Sequence, residues 1–355
     1  MRFKVIKPGL LTTVQDLGRW GYQSSGVPVA GAMDLSALRI GNAIVGNCEG
    51  AAALEVTVIG PELAVEGEGV VAFSGAELGF SVNGRHVGSW TALCVKDGDV
   101  LSFSAPVKGC RGYLCALGGI DVPVVMGSRS TYTRAKIGGY EGRALKAGDV
   151  VEVGACGFFS KRIDGFRPSD DILPDYSKSP ELFILPGLQE DAFTEEGLMT
   201  LFNSEYEVSS ESDRMGCRFD GPKVRHKEAG ADIVSDAIPL GAVQIPGHGL
   251  PIAMLADRQT TGGYTKVGVL TPASIQALAQ MMPKARVRFA RATMEQAIEE
   301  LAAAKAAAWR ARQLRASWIS RPSLSLAPRA AVKNAAAEFR ITVDGKSYDV
   351  KCEEI

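Results

Sequence analysis

Short apolar segments at residues 3–6, 54–59, 70–74, 78–82, 92–95, 100–103, 113–117 and 150–153 recur through the first 165 residues, with glycine-rich turns among them. Many short strands at close spacing favour a barrel or sandwich over a parallel sheet. Asn83-Gly84 and Lys96-Asp97-Gly98 carry hairpin-turn chemistry, because these residues accept the left-handed backbone a tight turn needs. One helix interrupts the set. Leu35, Leu38, Ile40, Ala43 and Ile44 follow a helical period, Asp34 suits its N-cap, and Gly46 or Asn47 suits its end. The segments Val95-Lys96-Asp97-Gly98-Asp99 and Leu145-Lys146-Ala147-Gly148-Asp149 resemble each other, through a duplication or through two independent hairpin entries.

Residues 166–180, with three prolines, read as a linker. Strand candidates follow at 181–185, 206–209, 214–219, 242–245, 252–255 and 286–289, and residues 272–280 read as a short helix with proline in its first turn. From residue 292 to 318 the composition turns to Ala, Glu, Lys and Arg, which favours helix. Residues 319–337 read as a second linker, and 338–355 as a hairpin around Asp344-Gly345. The expected fold is therefore mainly β with few helices: β domains at 1–165 and 181–291, then a helix and a hairpin tail. A lone hairpin is marginal in water, so the tail must dock or belong to a unit cut short.

Composition mostly excludes. A formal charge of −1 creates no field for nucleic acid or an acidic membrane. No apolar run approaches the roughly 20 residues that span a bilayer. The chain opens without a signal segment, and its seven cysteines are scattered with no CxxC pair, so reduced thiols in the cytoplasm are expected. His86, His226 and His248 lie far apart with no metal-ligand spacing, so no metal site is expected.

Chemistry concentrates in four polar clusters. The densest is Asp257-Arg258-Gln259-Thr260-Thr261-Gly262-Gly263-Tyr264-Thr265-Lys266, read as a polar turn between two apolar strands. Core strands do not carry so many polar groups, because an unpartnered buried one costs about 1–3 kcal/mol. This stretch therefore reads as the wall of a cleft for a polar ligand. A second cluster, Gln15-Asp16 through Arg19 and Tyr22 to Asp34, either holds a substrate or is a loop pinned by an Asp16–Arg19 pair. A third, from Gly118 to Arg143, offers hydroxyls, glycine amides and three arginines, either an anion cradle or a solvated loop. In the fourth, Asp213 and Arg214 either bind a ligand or pair with each other. There is no phosphate-loop fingerprint, nucleophile elbow or Ser-His-Asp order. Carboxylates, guanidiniums and amides of this kind can grip and polarise an amide or ureide.

These motifs, Gln15-Asp16-Leu17-Gly18-Arg19, Gly26-Val27-Pro28, Gly31-Ala32-Met33-Asp34, Gly118-Gly119-Ile120, Ser212-Asp213-Arg214-Met215-Gly216 and Asp257 through Tyr264, occur in order over about residues 1–290. Together they resemble the biotin-dependent carboxyltransferase group that contains the C subunit of 5-oxoprolinase, also called allophanate hydrolase subunit 2, and the carboxyltransferase domain of urea carboxylase. The resemblance implies two cyclophilin-like β-barrels with the substrate between them. It implies partner subunits B and A, and ATP-driven opening of 5-oxoproline to glutamate, with ATP handled at the level of the complex. It also allows a homo-oligomer. On this basis Asp257, Arg258, Tyr264 and Lys266 are the catalytic candidates, and Asp16, Asp34, Asp213, Arg214, Gln259 and Thr260 the substrate-binding ones. Arg258 suits a carboxylate, Asp257 would orient it, and Tyr264 or Lys266 would donate to the leaving nitrogen. The tail resembles the opening strands of a biotin carrier without the Met-Lys-Met motif, so biotin would have to come on a separate carrier. The other readings are a carboxyltransferase acting on urea or a related amide, and a non-enzymatic regulator of the B subunit.

Overall fold

In the computed structural model, the described residues are 1–156, 160–176, 181–228, 230–321, 325–328, 336–343 and 346–353. The first half holds β1 (Arg2–Lys7), β2 (Leu11–Gln15), β3 (Ala53–Thr57), β4 (Glu62–Glu66), β5 (Gly69–Glu77), β6 (Ser81–Val82), β7 (Arg85–His86), β8 (Ala92–Val95), β9 (Val100–Ser102), β10 (Lys108–Ala116) and β11 (Val150–Glu152). They form two sheets, ordered β11-β1-β4-β9-β6-β7 and β2-β3-β10-β5-β8. One core includes Phe3, Leu54, Val56, Leu63, Phe73, Phe80, Leu101 and Leu114, and the Phe73, Phe80 and Phe103 rings pack together within it. Helix α1 (Leu35–Val45) lies where its apolar period placed it. The Asp34 side chain accepts from Ala37 N at its start, and Gly46 ends it in the left-handed region. Gly41 lets the helix approach β5, since a Cβ there would meet Ser74 Oγ at 2.3 Å.

Asn83-Gly84 makes the expected hairpin between β6 and β7, both residues at positive φ. Lys96-Asp97-Gly98 does not: β8 pairs with β5 in one sheet and β9 with β4 and β6 in the other, so this turn carries the chain between sheets. The two look-alike segments fold alike. Asp99 accepts from Lys96 N at 2.9 Å and Asp149 from Lys146 N at 2.7 Å. Gly98 N donates to Val65 O and Gly148 N to Val5 O, while Val65 N and Val5 N return bonds to Asp99 O and Asp149 O.

The second half is a closed barrel of β12 (Glu181–Pro186), β13 (Glu205–Val208), β14 (Gly216–Asp220), β16 (Ala242–Gln244), β17 (Ile252–Met254), β19 (Lys266–Leu270) and β20 (Arg286–Arg291). Its first and last strands, β12 and β20, pair in parallel. A separate ribbon pairs β15 (Asp232–Ala237) with β18 (Thr261–Tyr264). Gly262-Gly263 is not a turn but extended ribbon, and the turn lies at Ala256-Asp257. Helix α2 (Glu195–Asn203), capped by Thr194, was not anticipated, although two acids follow its cap; α3 (Pro272–Ala279) was.

Residues 1–315 form one compact unit and 316–355 another. Within the first unit, the segment read as a linker packs Phe166 and Ile172 inside. Gln280, which caps α3, joins the two halves as a peptide group would. Its Oε1 accepts from Cys110 N at 3.1 Å and Arg111 N at 3.0 Å, while its Nε2 donates to Asp34 Oδ2 at 2.9 Å and Arg111 O at 3.0 Å. Helix α4 (Met294–Ser320) follows the barrel. The tail is a three-stranded sheet of β21 (Ser325–Pro328), β22 (Ala336–Val343) and β23 (Lys346–Glu353), so the stretch read as a second linker contributes a strand. The Asp344-Gly345 turn lies outside the described residues.

Candidate functional site

A buried ionic cluster fastens the two halves at their junction. Glu55 is a charged residue inside an apolar strand, β3, and is 1% exposed. It accepts from Met33 N and from Tyr113 Oη, each at 2.9 Å, and pairs with Arg214 Nη1. Arg214 grips Asp257 through two bonds of 3.0 Å and donates to Gly31 O at 2.6 Å. Burial pulls the Arg214 guanidinium down, but Asp257 and Glu55 outweigh it and hold it above its ordinary value. Burial also pushes the Asp257 carboxyl up, with Arg214 opposing. The Asp213–Arg214 pair considered above does not form. Asp213 takes Arg134 at 3.2 Å and accepts from Met215 N and Gly216 N.

The cluster fixes the turn from which Arg258 projects. Asp257 N donates to Arg214 O and Leu255 N to Met215 O. Arg258 is 6% exposed; its Nε donates to Ile238 O at 2.9 Å and its Nη1 to Leu255 O at 3.2 Å. Among the described residues no acid lies within ion-pairing distance of it, and burial lowers it to about 10. It lines a cavity of about 500 Å³ between the halves, with Trp20, Val29, Ile238, Leu240, Gln259 and Thr260 among the walls. An unpaired guanidinium beside an indole and aliphatic side chains suits a small anion with an apolar body.

The other residues singled out in the sequence are placed as follows. Asp16 is buried and saturated: it accepts from Gly18 N, Ser128 Oγ, Arg129 N and Ser130 Oγ at 2.5–2.8 Å. It therefore pins a loop, and Arg19 does not pair with it. Arg19 is fully buried and donates to Val125 O and Ser130 O, and its Nη1 has no partner. Asp34 likewise spends its oxygens on Ala37 N, Tyr176 Oη and Gln280 Nε2. The anion cradle is absent in the form expected: Arg129 takes Asp121, Arg134 takes Asp213, and Arg143 takes Glu141 and Asp149. Lys266 pairs with Asp236 at 3.0 Å, and Gln189 also donates to that acid at 3.2 Å. Tyr264 is half-exposed on β18 opposite Asp232. Neither Tyr264 nor Lys266 lines the cavity with Arg258, Gln259 and Thr260. His248 is exposed in a turn and accepts from Leu250 N. Cys217 is buried in the barrel core and free. Glu55, Trp20 and Ile238 were assigned no role in the site. Only Glu55 carried a signal, an acid amid apolar neighbours.

Two facts bear on broader chemistry. Among the described residues no group of three or more His, Cys, Asp or Glu side chains is placed to hold a metal ion. No helix among them is long and apolar enough to cross a membrane.

A mostly β chain, with four α-helices among the described residues, a closed seven-stranded barrel and a polar junction between its halves, has the architecture of a carboxyltransferase domain. The chain belongs to that family: the family described as carboxyltransferase domain, subdomain A and B, matches residues 25–291. The chain is 35% identical to the C subunit of 5-oxoprolinase from Escherichia coli K12 over 296 residues, covering 83% of this chain and 93% of that one. It is 34% identical to urea amidolyase of Lachancea kluyveri over 305 residues, 81% of this chain but 17% of that protein. The crystal structure of Kluyveromyces lactis urea carboxylase superposes with a TM-score of 0.80 at 30% identity, over 96% of this chain and 32% of that one. The chain thus spans most of a 5-oxoprolinase C subunit and only a part of the urea enzymes.

Proposed function

We propose that the chain is the substrate-holding subunit of an ATP-dependent 5-oxoprolinase, binding the lactam in the cavity between its halves. The observation that carries this reading is Arg258, a buried guanidinium with no acid of its own, at the wall of a cavity whose other walls are largely apolar. 5-Oxoproline is a five-membered ring bearing one carboxylate, which fits that pairing. Arg258 would hold the carboxylate through its planar fork, and the Glu55–Arg214–Asp257 cluster would keep the Arg258 turn in place. The likeness to one subunit of 5-oxoprolinase over nearly its whole length supports the same assignment. In this reading subunits B and A would be its partners, in the cytoplasm. A lactam is a poor electrophile, and ATP coupling would supply the drive for its opening. The cavity offers one cation, Arg258, and among the described residues no acid cluster for magnesium. These groups fit a monoanion and not a triphosphate, so the nucleotide is left to the complex. Tyr264 and Lys266 would act as second-line donors, since neither lines the cavity and Lys266 Nζ is engaged by Asp236.

The test is glutamate formation from 5-oxoproline and ATP by the chain assembled with its partner subunits. Arg258→Ala is expected to lower kcat/KM by about 100-fold or more, the loss typical of a charged positioning contact. Undiminished turnover would overturn the reading.

The second reading is a carboxyltransferase component acting on urea or a related amide. The superposition on urea carboxylase favours it, because it covers 96% of this chain and so reaches beyond the barrel. In this reading biotin would come on a separate carrier.

A further inference from the structure

Gln244, on β16, is 2% exposed, and its amide nitrogen has no hydrogen-bond partner. Native proteins leave few buried donors unpaired, and each such group needs an explanation. Its surroundings supply one. A Cβ built on Gly262 would stand 3.2 Å from Gln244 Nε2, 3.6 Å from Gln259 Nε2 and 2.7 Å from Ile238 Cδ1. Two side-chain amide nitrogens therefore converge on one point beside the ribbon. Gln259 and Ile238 both line the Arg258 cavity. The backbone at Gly262 is extended and does not require glycine, so what the residue contributes is space. Any side chain there would cover both amides.

Resting on the reading of Arg258 as a carboxylate site, we infer that Gln244 and Gln259 form the amide-recognising part of the same pocket. Their Nε2 groups donate to the carbonyl oxygen of a ligand whose carboxylate sits on Arg258. Ile238 touches both subsites: its carbonyl accepts from Arg258 Nε, and its Cδ1 is the third group at Gly262. The pocket therefore selects molecules that carry a carboxylate and an amide carbonyl on one small ring. A site with a buried donor rejects a ligand lacking the matching acceptor far better than an apolar pocket rejects a missing methylene.

Calorimetric titration of the full chain with three probes separates the parts. 5-Oxo-L-proline has both groups, cyclopentanecarboxylate has only the carboxylate, and 2-pyrrolidinone has only the lactam. Gln244→Leu is expected to weaken 5-oxoproline and 2-pyrrolidinone by about tenfold or more while leaving cyclopentanecarboxylate within about twofold. Arg258→Met is expected to do the reverse, weakening the two carboxylates and sparing 2-pyrrolidinone. Gly262→Ala should reproduce the Gln244→Leu pattern with β16 unaltered, which covers the case in which Gln244→Leu fails to fold. If Gln244→Leu and Gly262→Ala weaken all three probes alike, or none, the inference is overturned while the Arg258 reading stands. If the unaltered chain binds none of the three, the Arg258 reading itself falls.

Discussion

Arg214 makes four hydrogen bonds to three residues drawn from both halves, all out of water. Removing it leaves Glu55 and Asp257 as buried carboxylates without their cation. Breaking such a cluster by taking one partner typically costs about 3–5 kcal/mol, more than the intact cluster contributes. Arg214→Met should therefore lower the stability of the chain by about that amount in urea denaturation, and a loss below about 1 kcal/mol would mean the acids find other partners. Arg214 was picked out from the sequence for a ligand, and the structure gives it to the protein. The reason is physical: a guanidinium next to an acid in sequence does not reveal which distant acid it meets, and Glu55 is 159 residues away. Arg258 shows the opposite case. Among the described residues no acid pairs with it, a property that spacing along the chain cannot display.

At the scale of elements, apolar period and turn chemistry were enough to place α1, α3 and most strands, because each of those signals is local. Pairing is not local, so the Lys96–Gly98 turn reads as a hairpin in the sequence while in the structure it connects two sheets. The Gly262-Gly263 pair misled for a related reason, since glycine marks close approach as readily as it marks a turn. The matched Asp99 and Asp149 turns were legible as a repeat, and the structure adds that they close on neighbouring strands β4 and β1. Asp149 has one contact its counterpart lacks. Arg143 binds it through two bonds and depresses its carboxyl below the ordinary value. A depressed folded value contributes stability above the unfolded value, near 4, and loses it as pH falls through the folded one. Asp149→Asn should thus cost about 1 kcal/mol near pH 7, with the difference from the unaltered chain shrinking as pH drops below about 4. Thermal melts from pH 7 to pH 3 would show this, and a pH-independent difference would contradict it.

At the scale of the molecule, the two halves share Gln280, the Glu55–Arg214–Asp257 cluster and the cavity walls. Such shared contacts make residues 1–315 one cooperative body. Calorimetry of the chain should show one main transition whose calorimetric and van't Hoff enthalpies agree. Gln280→Ala strands Cys110 N and Arg111 N in a buried setting and should lower the midpoint by several degrees and split the transition in two. An unsplit, unshifted transition would show that the junction is held by other contacts.

The barrel closes by setting β12 beside β20, the first strand against the last. During synthesis, then, the strand at Glu181–Pro186 has no permanent neighbour on that side until Arg291 has emerged. At about 5–20 residues per second that interval is on the order of ten seconds. Through it, a nascent chain presents Leu182 and Ile184, both buried in the finished protein, to whatever else is nearby. The sheets of the earlier half need no strand later than Glu152, and Phe166 and Ile172 pack in soon after. Its paired strands, with Glu55 on β3 among them, are the first template the unfinished barrel meets.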